Sequence, residues 1–283
     1  MRRIVVFAAW REGVKPACGR WGAALHILWG MATPDAVTMR TLRSMTAKGQ
    51  PFSCLTCYDA TTARLLEEAG VHVLLVGDSA AEVILGFDRT IDMPLEFAIT
   101  LTAAVKRGAP SRLVMADMPF MSYQGAEGEA MRNAGRFLTE GRADTVKLEV
   151  DRTFAPLVEK MARAGVPVVA HIGSRPQQAG LKGGYGAAGR TPAEAEAIVQ
   201  DAVSLQQAGA VMLLIEAVPE SVTRSVLAAT SIPLIGIGAG AECHGQVLVI
   251  HDLLGLSRTP PRFASAAAEL SPAIVAAGRE WVR

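Results

Sequence analysis

Residues 73–79, Val-Leu-Leu-Val-Gly-Asp-Ser, form a short apolar run that stops abruptly on a glycine and a carboxylate. A strand buried on both faces reads this way, because a parallel sheet covered by helices leaves neither side of the strand in water. The pattern recurs at 113–117 (Leu-Val-Met-Ala-Asp), 145–149 (Thr-Val-Lys-Leu-Glu), 166–171 (Val-Pro-Val-Val-Ala-His) and 212–216 (Met-Leu-Leu-Ile-Glu). Each run ends on an ionisable residue, and if the strands are parallel those polar ends converge on one face.

Between the runs the apolar spacing becomes helical. Helices are expected over 38–47, 61–68, 95–107, 127–140, 154–164, 192–208 and 221–229, many of them stopped by a glycine such as Gly70, Gly108 or Gly165. Strands are expected over 52–57, 73–76, 113–116, 145–148, 166–170, 211–215, 232–237 and 247–250. Pro167 fits only near its strand's start or at a ladder position that needs no donor. Strand-like runs separated mostly by helices favour an α/β chain closed into a (β/α)8 TIM barrel over an open sheet. A length of 283 residues suits one such barrel, expected over 36–283.

Residues 1–35 differ from the rest and read as a poorly ordered N-terminal extension. The apolar run 4–10 is broken by Arg11 and Glu12 and is too short to span a bilayer, and Met31 is a plausible working start. No later run reaches spanning length, and a net charge of +1 gives no reason to expect nucleic acid or a membrane as partner. Cys54 and Cys57 have C-x-x-C spacing but share one strand-like run with no second pair nearby, so they read as packed thiols. Gly236, Gly238 and Gly240 are followed by another apolar strand, not by the helix a dinucleotide site requires.

In a parallel barrel the active site lies at the strand C-termini. Asp59, Asp78, Asp117, Lys147, Glu149, His171 and Glu216 would all lie at or near that rim. A lone acid after a strand is commonly a helix N-cap. Several acids facing one another repel unless a cation neutralises them, which predicts a divalent metal, and oxygen ligands favour magnesium over zinc.

Gly77-Asp78-Ser79, Ala116-Asp117-Met118-Pro119-Phe120, Val146-Lys147-Leu148-Glu149, Ala170-His171-Ile172-Gly173, Gly183-Gly184-Tyr185, Ile215-Glu216-Ala217-Val218-Pro219 and Gly245-Gln246-Val247-Leu248-Val249-Ile250-His251-Asp252 run in unbroken order. Together they resemble the ketopantoate hydroxymethyltransferase family. The resemblance implies a (β/α)8 barrel of the phosphoenolpyruvate/pyruvate type, magnesium-dependent, cytoplasmic and homo-oligomeric, often a decamer. It implies transfer of a hydroxymethyl group from 5,10-methylenetetrahydrofolate to 3-methyl-2-oxobutanoate through a magnesium-stabilised enolate, giving 2-dehydropantoate for pantothenate synthesis.

Carried over by position, the resemblance makes Asp78 and Asp117 metal ligands that also contact substrate, with Glu149 nearby and acting through metal-bound water. Ser79 and Lys147 match residues that hold the keto acid, His171 matches a neighbouring substrate contact, and Glu216 matches the general base.

The chain departs from the family pattern in three places. Ala80-Ala81-Glu82 follows Gly-Asp-Ser where Leu-Gly-Met is usual, Gly186-Ala187-Ala188 replaces Lys-Val-Gln, and His244 stands where aspartate is common. A magnesium-dependent 2-oxo-acid lyase or aldolase of the same barrel superfamily, or a non-catalytic keto-acid-binding scaffold, therefore stays open beside the transferase.

Overall fold

The computed structural model describes residues 36–283, so the expected N-terminal extension and the start at Met31 lie outside the described residues. The chain begins with α1 (Met39–Ala47), β1 (Phe52–Thr56), α2 (Ala60–Glu68), β2 (Val73–Val76), α3 (Ala80–Val83), α4 (Leu95–Gly108), β3 (Leu113–Asp117) and α5 (Glu127–Thr139). It continues with β4 (Thr145–Glu149), α6 (Ala155–Arg163), β5 (Val168–Gly173), α7 (Ala179–Lys182), α8 (Pro192–Gln207), β6 (Met212–Glu216) and α9 (Glu220–Ala229). The last elements are β7 (Leu234–Ile237), β8 (Gly245–Leu248), α10 (Ile250–Leu253) and α11 (Leu270–Val282). Each strand pairs in parallel with the next, and β8 returns to β1, closing the barrel.

Alternate side chains of a strand point to opposite faces. One set, including Val73, Leu75, Leu113, Met115, Val169, Met212, Leu214 and Ile235, clusters in the barrel interior. The alternate set, Leu74 and Val114 on one side and Val146, Leu148, Ala170, Leu213 and Ile215 on the other, packs beneath the helices. Burying one such side chain contributes roughly 1.5–3 kcal/mol, so a slip of one residue in any strand would cost several such burials. Leu42 of α1, with Met39 and Met45 beside it, packs on the interior cluster and closes one end of the barrel.

The same inward rows supply the chemistry at the other end. Asp117 follows Leu113 and Met115, Lys147 and Glu149 follow Thr145, His171 follows Val169, and Glu216 follows Met212 and Leu214, always two residues apart. An apolar floor and a polar mouth thus come from one parity.

The structure moves several boundaries. Pro167 precedes β5, and its carbonyl accepts from Val146 N at 3.0 Å, so no ladder donor is missed. The last strand is Gly245–Leu248, not 247–250: Gly245 pairs with both Phe52 and Ile235, and the Phe52 ring fills the space where a Cβ would sit. Ile250 instead opens α10, its N–H donating to Thr56 Oγ1 at 2.9 Å. Sequence spacing also overlooked the short α3 and α7 and the terminal α11.

Candidate active site

A cavity of about 850 Å³ opens at the C-terminal ends of the strands, and Asp78, Ser79, Asp117, Lys147, Glu149 and His171 line it together with Glu216. All the site residues expected from the sequence are therefore brought together; Asp59, expected only at or near the rim, does not line the cavity. It follows the C-terminal end of β1, and its carboxylate caps α2 by accepting from Thr62 N at 2.9 Å, the common role of an acid after a strand.

Asp78 lies one residue beyond the inward position of its strand, and that position is Gly77. A Cβ there would come within 2.7 Å of Ser79 Oγ, so the glycine lets the chain turn tightly and present both neighbours. The Asp78 N–H then donates to Asp117 Oδ2 at 3.1 Å, joining the ends of β2 and β3. Ser79 Oγ sits 2.9 Å from the buried hydroxyl of Tyr58.

Lys147 is buried with its Nζ 2.9 Å from Asp117 Oδ1 and 3.2 Å from His171 Nδ1. Burial opposes its charge, but Asp117, Glu149 and Asp78 outweigh burial and hold the ammonium above the ordinary lysine range. An ammonium only donates, so His171 Nδ1 accepts and the ring proton resides on Nε2. That atom faces Glu216 Oε2 at 3.4 Å. Burial, followed by the charges of Lys147 and Arg175, pushes the His171 pKa well down and keeps the ring neutral.

Three of the carboxylates expected at the site are pushed upward. Asp78 is raised to about 7, first by burial and then by Asp117. Glu216 is raised to about 7 by burial, against the opposing pull of Lys147. Burial also carries Glu149 well above the usual range, although its Oε2 accepts from Gln177 N at 2.9 Å.

Among the described residues, no group of three or more His, Cys, Asp or Glu side chains converges in metal-holding geometry. The fit to magnesium rests on two carboxylates. Asp117 Oδ1 is buried without a hydrogen bond, its contact with Lys147 lying outside hydrogen-bond geometry. Asp78 Oδ2 is taken by Gln177, and no described donor bonds to its Oδ1. Asp78 Oδ1, and Asp117 Oδ1 with only the Lys147 ammonium facing it at 2.9 Å, are oxygens of the kind that suit a small hard cation, which takes one or two carboxylates and completes its shell with water and substrate.

The other features singled out in the sequence have structural roles. Cys54 lies in the interior cluster and Cys57 in an outer one, both buried and free, with burial pushing the Cys57 thiol up to about 12. His244 accepts from Leu234 N at 3.0 Å just ahead of β8. Glu82 does reach the cavity wall, where it accepts from Tyr185 OH at 3.3 Å. The element that follows Gly236, Gly238 and Gly240 is another strand, β8. Sequence reasoning missed Tyr58, Tyr123 and Gln177, whose partners lie far away in the chain.

The sequence profile of the family described as ketopantoate hydroxymethyltransferase matches residues 36–283. The chain belongs to that family. A relative from Carboxydothermus hydrogenoformans, named 3-methyl-2-oxobutanoate hydroxymethyltransferase, is 44% identical over 250 residues, which are 88% of this chain and 91% of the relative. One of the same name from Moorella thermoacetica is 44% identical over 248 residues, 87% of this chain and 92% of its own. Among solved structures, a phosphonopyruvate hydrolase in complex with oxalate and Mg++ superposes with a TM-score of 0.58 at 14% identity, covering 86% of this chain and 85% of that one. A 2,3-dimethylmalate lyase of the PEP mutase/isocitrate lyase superfamily gives 0.55 at 18%, covering 87% and 85%. At such identities these two show the barrel fold alone. The chain is thus an enzyme-family member with the barrel expected from its sequence.

Proposed function

We propose that the protein transfers a hydroxymethyl group from 5,10-methylenetetrahydrofolate to 3-methyl-2-oxobutanoate, giving 2-dehydropantoate for pantothenate synthesis. The observation that carries this reading is the position of Glu216, a carboxylate raised to about 7 that lines the same cavity as Asp78, Asp117 and Lys147. Such a group is poised to take a weakly acidic carbon-bound proton near neutral pH. The names of the relatives support the choice of substrate.

In this reading Asp78 and Asp117 would hold Mg²⁺, and Glu149, nearby, would bear on it through water. The cation, when bound, supplies an electron-withdrawing centre for the keto and carboxylate oxygens of the acid. Lys147 adds a fixed positive charge on the same side. Ser79, oriented by Tyr58, offers a hydroxyl to the substrate carboxylate. His171 Nε2 lies 3.4 Å from Glu216 Oε2 without a hydrogen bond, which leaves its N–H to face the substrate beside the base. Glu216 then takes the C3 proton, and the carbon left electron-rich bonds to the methylene carbon of the folate as one of its C–N bonds breaks. Water then replaces the second folate nitrogen, leaving the hydroxymethyl group on C3 and releasing tetrahydrofolate, whose two nitrogens take up the proton from Glu216 and one from the water.

The family likeness also supports a homo-oligomer working in the cytoplasm. Exposed Leu270, Ile274, Val275, Trp281 and Val282 give α11 an apolar surface suited to a second copy. No described helix is long and apolar enough to cross a membrane.

Proton NMR of 3-methyl-2-oxobutanoate in D₂O with Mg²⁺ tests the mechanism without folate. The methine signal should disappear through exchange with the wild-type protein, and Glu216→Gln should slow this by about 10² to 10⁴ fold while still binding the acid. Unchanged exchange in the variant would remove Glu216 from the mechanism. Absence of exchange in the wild type would favour a binding scaffold.

A further inference from the structure

Gln177, in the loop after β5, touches every neighbouring strand end that carries a proposed metal-facing acid. Its Nε2 donates to Asp78 Oδ2 at 2.9 Å and to the Met118 carbonyl at 3.1 Å. Its backbone N–H donates to Glu149 Oε2 at 2.9 Å. Its Oε1 accepts from Tyr123 OH at 2.8 Å and from Gln124 Nε2 at 3.1 Å. The residue is buried, and every polar atom of its side chain has a partner.

The direction of the amide is set by those partners. Reversed, its carbonyl oxygen would face the Asp78 carboxylate and the Met118 carbonyl, two groups that cannot donate. Tyr123 agrees with the choice: its hydroxyl accepts from Glu149 N at 3.0 Å, and its one proton has Gln177 Oε1 at 2.8 Å as a nearer acceptor than the Glu149 carbonyl at 3.2 Å.

We infer that Gln177 is a positioning residue for the metal site: it occupies Asp78 Oδ2 and Glu149 Oε2, so that Asp78 presents Oδ1 to the cation and Glu149 is held at a fixed remove. A neutral donor is what this place requires. A cation there would compete for the acids, and another acid would repel them. Hydrogen-bond partners that orient metal-binding side chains typically govern metal affinity by about 10- to 100-fold, although they never touch the ion.

The inference rests on the reading of Asp78 and Asp117 as ligands, and one experiment separates the two. Purified protein is titrated with Mg²⁺ by calorimetry and with Mn²⁺ by its EPR signal, using wild type, Asp117→Ala, Gln177→Met and Tyr123→Phe. Gln177→Met keeps the volume without the amide and should bind either ion about 10- to 100-fold more weakly. High Mg²⁺ should restore much of its turnover, as it would not for a merely damaged barrel. Tyr123→Phe leaves Gln177 in place but removes its orienting bond, and it should show a smaller loss in the same direction. If Asp117→Ala binds Mg²⁺ as the wild type does, the metal reading itself fails. If Asp117→Ala loses the ion while a folded Gln177→Met keeps wild-type affinity, only the role of Gln177 is overturned. Should Gln177→Met not fold, unchanged affinity in Tyr123→Phe overturns it instead.

Discussion

A carboxylate enclosed by apolar groups resists ionisation, and Glu216 shows both sides of that cost. Burial lifts it to about 7, so it is largely protonated below that pH and ionised above it. As a base it works only when ionised, so exchange of the substrate C3 proton at limiting substrate should fall about tenfold per pH unit below 7. A rate that stays level down to pH 5 would exclude Glu216 as the base. Stability runs the opposite way. The folded-state pKa is above the unfolded one, so the stabilisation from the bound proton is complete below the unfolded pKa and lost as pH rises through about 7. Glu216→Gln should consequently melt no lower than the wild type at pH 8. The acids were legible because each closes an apolar run, and Lys147 because it interrupts one two residues before Glu149. Gln177 was not, because its role comes from a contact with Asp78 across 99 positions, and nothing in its local Pro-Gln-Gln sequence marks that contact.

At the scale of elements, the same acid-after-strand pattern has two outcomes, decided by whether a helix or a loop succeeds the strand. Asp59 is succeeded at once by α2 and spends its carboxylate on the free N–H of Thr62. Asp117 ends β3 on an inward position and leads into a loop, so its carboxylate stays in the cavity. Asp59→Ala should therefore cost about 0.5–2 kcal/mol of stability and leave kcat unchanged, as measured by denaturant unfolding and steady-state assay. A large loss of kcat would return Asp59 to the site. Helix ends were legible where capping chemistry is local, as at α8, where Thr191 and Glu194 form a capping box. The last strand was misplaced because its start is decided by the Phe52 ring over Gly245, a neighbour in space that sequence periodicity cannot report.

For the whole molecule, the question is where the folding unit begins. Val37 is buried, its N–H donates to Ser111 O at 2.8 Å, and it joins Leu42 in the cluster that fills the barrel interior. Those contacts make α1 and the residue pair before it part of the barrel, and the family match likewise starts at residue 36. A chain beginning at Met31 keeps all of them, so it should melt at the same temperature and turn over at the same rate as the full chain. A chain beginning at Gln50 would lose Val37 and Leu42 and expose the interior end of β1, β2 and β3 to water. At roughly 1.5–3 kcal/mol for each buried aliphatic side chain removed, that deletion consumes a large part of the roughly 5–15 kcal/mol by which a domain is ordinarily stable. It should give a chain that is insoluble or melts far lower. The pair of truncations, compared by circular dichroism melting and a turnover assay, distinguishes a dispensable leader from a packed one: a lowered melting temperature or lost activity in the chain from Met31 would mean that the preceding residues bind the barrel.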